Sequence, residues 1–143
     1  VNALLRPSLD GLAEYTLAQY PHRIKLNQNE NPYELPDGIK REIVEHLARA
    51  QWARYPAFVP QQQIDRLAAF TGWKAEGLLL GNGSNDLLQL LFTCALDATR
   101  SVILCEPTFT LYAILAKALG ARIDRVPLSR ALEFDVDAII ATS

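Results

Sequence analysis

A loop of two glycines and four small polar residues, Gly81-Asn82-Gly83-Ser84-Asn85-Asp86, separates two apolar segments in the stretch "LLLGNGSNDLLQLL" at residues 78–91. The apolar rhythm changes across it. Residues 78–80 are a short continuous run, as in a buried strand. Beyond the loop, Leu87, Leu88, Leu90, Leu91 and Ala95 make a broad helical stripe. A strand, a turn and a helix satisfy both patterns. The glycines permit a tight turn and close backbone approach, and Ser84, Asn85 and Asp86 are all N-cap types. A helix start of this kind is an anion site; a capped turn with no ligand is the plain alternative.

The alternation continues downstream. "SVILCEP" predicts a second strand ending at Pro107, and a helix runs through Tyr112, Leu115 and Leu119 to a stop at Gly120. "ARIDRVPL" predicts a third strand, and residues 137–142 a fourth. Strands alternating with helices imply βαβ units and a mostly parallel sheet. Upstream, residues 1–35 are punctuated by Pro7, Pro21 and Pro32 and read as an arm and loop, with one extended piece at 24–26. Residues 36–77 predict two helices. The first follows Asp37 as N-cap and carries Ile39, Ile43 and Leu47 at four-residue spacing; the second follows Pro60, carries Ile64, Leu67 and Ala68, and stops at Gly72. The expected fold class is therefore α/β: an N-terminal arm (1–35), a helical segment (36–77), and the first part of a parallel-sheet domain (78–143).

Charge and composition narrow the function. A net charge of −2 without a basic cluster argues against nucleic acid, and the apolar runs are too short to span a bilayer. Cys94 and Cys105 lie in apolar segments and read as reduced core residues of a cytoplasmic protein. His22 and His46 are too far apart to suggest a metal site. The chain has no methionine, even at position 1, and stops just past an apolar run at Ser143. We therefore expect a fragment of a longer protein.

Ligands of open α/β sheets sit beyond the carboxyl ends of strands, where both the Gly81–Asp86 loop and the segment Glu106-Pro107-Thr108-Phe109 fall. A phosphate loop of the Gly-Lys-Ser/Thr type is absent, and Asp86 stands where a dinucleotide fingerprint needs its third glycine. A small monophosphate with a flat ring remains, stacking on Phe109 or Tyr112; pyridoxal 5'-phosphate fits that description.

The segments "KLNQNENPY", "ARYP", "LLLGNGSNDLLQLL" and "EPTFTLY", in this order and spacing, resemble the histidinol-phosphate aminotransferases, pyridoxal-phosphate enzymes of the aspartate-aminotransferase (fold type I) superfamily. The resemblance runs from about residue 5 to residue 143. It implies the first part of the large domain of such a transferase, a homodimer, and amino transfer between histidinol phosphate and 2-oxoglutarate in histidine biosynthesis. Gly83, Ser84, Asn85 and Asp86 match the cup for the cofactor phosphate, although the family usually shows Asp-Glu at Asn85-Asp86. Phe109 matches the ring that stacks on the cofactor, commonly tyrosine. Tyr55 resembles the tyrosine that reaches the cofactor phosphate of the neighbouring subunit. Asn29 and Glu30 match a loop beside the substrate, and Tyr15 a tyrosine near the substrate's side chain.

The family's Schiff-base lysine would lie past Ser143. Lys25, Lys40, Lys74 and Lys117 lack its context, and Lys117 falls on the solvent side of its helix. No residue of this chain is thus assigned a catalytic role, and the chain alone is expected to be inactive. Threonine-phosphate decarboxylases and aromatic aminotransferases share much of the same pattern and stay open as alternatives. So does a non-catalytic fragment that binds phosphate or dimerises through Leu4, Leu5, Leu9 and Leu12.

Overall fold

The computed structural model describes residues 4–12, 21 and 23–143. The chain divides into two compact units, Val1–Leu17 with Gly77–Ser143, and Ala18–Glu76.

The first unit is built on one βαβ element. Strand β1 (Ser101–Glu106) and strand β2 (Arg122–Pro127) pair in parallel, in register from Ser101↔Arg122 to Glu106↔Pro127. Parallel strands need a crossover, supplied here by a helix, Leu111–Leu119. Among the described residues of this unit, Leu104 of β1, Val126 of β2, and Ala116 and Ala121 around the crossover helix are the buried apolar residues. Ala116 is 0% exposed, so the helix backbone can lie close against its neighbours. The crossover helix stops at Gly120, whose φ of 80° is left-handed. The Gly120 N–H donates to Lys117 O at 2.9 Å and the Ala121 N–H to Ala116 O at 3.0 Å, a pairing that satisfies the last carbonyls of a helix.

Three further pieces pack on this element. A helix at Ser84–Ala95 lies against the crossover helix. So does a single 3-10 turn, Pro7–Leu9, where the Ser8 hydroxyl donates to Ala118 O at 3.1 Å. A last helix, Val136–Thr142, sits beside β2. The second unit holds two helices, Asp37–Arg49 and Gln61–Thr71. In chain order the helices are α1 (Asp37–Arg49), α2 (Gln61–Thr71), α3 (Ser84–Ala95), α4 (Leu111–Leu119) and α5 (Val136–Thr142).

The α/β class and the two expected strands at 101–106 and 122–127 are present, as are the helix stops at Gly72 (φ 70°) and Gly120. Four expectations differ. Residues 137–142 are helix α5, not a fourth strand: the Asp135 carboxylate accepts the Ala138 N–H at 2.9 Å and caps it. A short apolar run suits either state, and here the cap selects the helix. Residues 78–80 are in no strand; a ladder needs a partner, and the sheet of the described residues contains only β1 and β2. Asp37 is the first residue of α1 rather than its cap, because Pro36 O already accepts the Lys40 N–H at 3.1 Å. Cys94 is exposed rather than core.

Candidate functional site

The start of α3 is shaped by two glycines acting for different reasons. Gly83 precedes the helix with φ 80° and ψ 172°, a backbone conformation essentially confined to glycine. A Cβ there would meet nothing within 4 Å, so conformation alone demands the glycine. Gly81 is the opposite case. A Cβ on it would lie 2.7 Å from Leu87 Cδ2 and 2.9 Å from Asp86 Oδ2, so here a side chain would have to displace the ends of two neighbouring side chains. Between them the Gly83 N–H donates to Gly81 O at 2.9 Å and closes a tight turn. The Asn82 N–H donates to Asp86 Oδ2, also at 2.9 Å.

No side chain caps α3, and residues 81–86 are all exposed. The first-turn N–H groups of a helix have no intrahelical acceptor, so these are available to an anion, with the positive end of the helix dipole behind them. The donor set of Ser84 and Asn85 amides, plus the Ser84 hydroxyl, suits one phosphate group.

The loop after β1 carries the aromatic part. It leaves the strand through a cis Glu106–Pro107 bond. Phe109 follows, 39% exposed, with its ring perpendicular to Tyr112 at a centroid distance of 5.7 Å. Tyr112 in turn stacks on Phe92 of α3 at 6.2 Å with the planes 14° apart. The aromatic chain thus ties the Phe109 loop to the helix whose N-terminus bears the glycine turn. At the carboxyl end of the sheet, Glu106 of β1 and Arg125 of β2 form an ion pair.

The structure brings Gly83, Ser84, Asn85 and Asp86 together in one turn and links α3 to Phe109 through rings. Tyr55, Asn29 and Glu30 belong to the other unit. Tyr55 is 94% exposed. Asn29 adopts a left-handed φ of 52°, which asparagine tolerates better than most residues. Glu30 is ion-paired with Lys25, and the Asn31 side-chain oxygen accepts the Tyr33 N–H at 3.0 Å. Tyr15 lies outside the described residues. Among the lysines, Lys117 is exposed as its helical period requires, and Lys40 reaches Glu34 at 3.4 Å. Sequence reasoning missed the bond from the Asn82 amide to Asp86 and the crowding at Gly81. The signal for the first was present: an acidic residue in the first turn of a helix, four positions after a loop amide.

The family model for aminotransferase class I and II matches residues 21–142, and the chain belongs to that family. It is 44% identical over 140 residues to the histidinol-phosphate aminotransferase of Chlorobium phaeovibrioides, covering 97% of this chain and 39% of that protein. It is 39% identical over 138 residues to the enzyme of the same name from Chlorobaculum tepidum, covering 96% of this chain and 40% of that one. The chain therefore spans about two fifths of the length of these curated relatives. A crystal structure from Burkholderia pseudomallei, provisionally assigned as an aminotransferase, superposes with a TM-score of 0.65 at 20% identity, covering 81% of this chain and 35% of that one. That likeness bears on the fold, which is of the aminotransferase kind.

Proposed function

We propose that this chain is the N-terminal, cofactor-phosphate-binding portion of a pyridoxal-phosphate-dependent aminotransferase that transfers the amino group of histidinol phosphate to 2-oxoglutarate in histidine biosynthesis. The observation that carries the reading is the uncapped, exposed start of α3 behind its glycine turn. Ser84 and Asn85 bind the cofactor phosphate through their backbone N–H groups and the Ser84 hydroxyl. Gly83 gives the turn the conformation that exposes them, its own N–H being held by Gly81 O, and Asp86 completes the turn. Phe109 supplies a face for the cofactor ring; phenylalanine offers the stacking area without a hydroxyl. When bound, the cofactor serves as the electron sink for charge that develops on the substrate. By the family resemblance, Asn29, Glu30 and Tyr15 are assigned to the substrate and Tyr55 to the cofactor phosphate of a neighbouring subunit, which implies a homodimer. The enzyme works on small molecules in the cytoplasm.

None of Lys25, Lys40, Lys74 and Lys117 is assigned the covalent anchor, so the 143 residues alone are expected to show no turnover. The test is to express the whole reading frame that contains this sequence and measure glutamate formation from histidinol phosphate and 2-oxoglutarate. Turnover with that pair supports the reading. Turnover only with aromatic amino acids, or carbon dioxide release from threonine phosphate, replaces it with one of the related enzymes. No pyridoxal-phosphate chemistry at all overturns it.

A further inference from the structure

We infer that Asp86 is a positioning residue of the phosphate turn and not a ligand of the phosphate; the inference rests on the reading of this turn as a phosphate site. Its carboxylate is turned back on the loop. Oδ2 accepts the Asn82 N–H at 2.9 Å, and the same oxygen lies 2.9 Å from where a Cβ on Gly81 would stand. One oxygen of the carboxylate is thereby engaged by a loop amide. It also carries the same sign as an arriving phosphate, so direct contact between the two would repel rather than bind.

What the carboxylate does is mechanical. The turn has one other internal bond, from the Gly83 N–H to Gly81 O. Gly83 itself has no neighbour within 4 Å of a would-be Cβ to hold it. With glycines at 81 and 83, this is the most freely rotating backbone a chain can have. The Asp86 bond joins the first turn of α3 to Asn82 and closes the loop from behind. The turn is thereby held before the ligand arrives, which removes an ordering cost from binding. Gly81 lies against the same carboxylate: a side chain there would have to displace the ends of Asp86 and Leu87, so the two positions are coupled. An asparagine at 86 retains an oxygen acceptor, whereas alanine does not.

The experiment uses the 143-residue chain and two probes that form no covalent bond with lysine, pyridoxamine 5'-phosphate and inorganic phosphate. Affinities are measured by calorimetry for wild type, Asp86→Ala and Asp86→Asn, with the Asn82 amide followed by hydrogen exchange without ligand. The expected result is a loss of about tenfold in affinity for Asp86→Ala, the scale of one lost hydrogen bond, and affinity within about threefold of wild type, or tighter, for Asp86→Asn. Protection of the Asn82 amide should vanish in the alanine variant and persist in the asparagine variant. Equal losses in both variants would show that the charge itself binds and overturn the inference, as would an alanine variant indistinguishable from wild type. Should Asp86→Ala fail to fold, Asp86→Asn decides: retained affinity supports positioning, and a tenfold loss overturns it. If wild type binds neither probe while the Asn82 amide still responds to Asp86→Ala, the phosphate-site reading fails and takes the positioning role with it, leaving only the hydrogen bond in the turn.

Discussion

Phe92 of α3 and Tyr112 of α4 stack with ring centroids 6.2 Å apart and planes 14° apart, and Phe109 meets the same tyrosine at right angles. Tyr112 is thus the shared ring between a helix and the loop that carries the candidate stacking residue. Truncating a core aromatic costs about 3–5 kcal/mol; Tyr112 is half-buried, so Tyr112→Ala should cost about 2 kcal/mol. A double-mutant cycle with Phe92→Ala should return a coupling of about 0.5–1.5 kcal/mol. Urea unfolding provides the numbers, and a coupling near zero would remove the aromatic link between α3 and α4.

The two glycines of the turn should respond differently to alanine. Gly83→Ala puts a side chain into a glycine-only conformation with open space around it, a strain of about 1–3 kcal/mol. Gly81→Ala meets no positive φ and contacts only the movable ends of Leu87 and Asp86, so its cost should be about 1 kcal/mol or less, below that of overpacking a core. The discriminating variant is Leu87→Ala. Combined with Gly81→Ala it should recover part of the loss, because it vacates the contact; combined with Gly83→Ala it should add its own cost. Additivity in both pairs, measured by denaturant unfolding, would contradict the steric account.

Asp135 should prove to be what makes residues 136–142 helical. Its carboxylate is the side-chain cap of α5, and removing such a cap costs about 0.5–2 kcal/mol. Asp135→Ala should shift the Cα chemical shifts of Val136 and Ala138 toward coil, while Asp135→Ser should keep them. Unchanged shifts in the alanine variant would mean that packing beside β2, rather than the cap, selects the helix.

The Asp97 carboxylate accepts the Thr99 hydroxyl at 2.6 Å and the Thr99 N–H at 2.7 Å. These bonds, the hydroxyl first, hold its pKa below the ordinary value, with Arg100 adding attraction. A carboxylate depressed on folding contributes stability that is present above its unfolded pKa, about 3.9. That contribution is lost as pH falls through the lower folded value. An NMR titration should therefore place the Asp97 midpoint below about 3.9, and Thr99→Val should raise it while leaving the backbone bond in place. A midpoint at or above the ordinary aspartate value would dispose of the claim.

Much of this architecture is legible in the chain itself because its signals are local. Gly72 and Gly120 end helices through a backbone conformation that glycine adopts without a Cβ penalty. The short apolar run at 102–105 and the apolar period of 111–119 announce a βαβ element before any contact is known. The glycine-bracketed turn and the aromatic after β1 could likewise be found by position alone, since ligand sites of parallel sheets gather at strand carboxyl ends. Tertiary structure decided what local pattern leaves degenerate. Whether a short apolar segment such as 137–142 is strand or helix depends on a cap and a neighbour, not on its hydrophobicity. Whether 78–80 joins a ladder depends on a partner that no single segment contains. The direction of the Asp86 carboxylate was also beyond the sequence, because a carboxylate can accept from a loop amide or cap its own helix with the same residue type. Only the three-dimensional course of the chain brings the Asn82 N–H to one of its oxygens and leaves the start of α3 open.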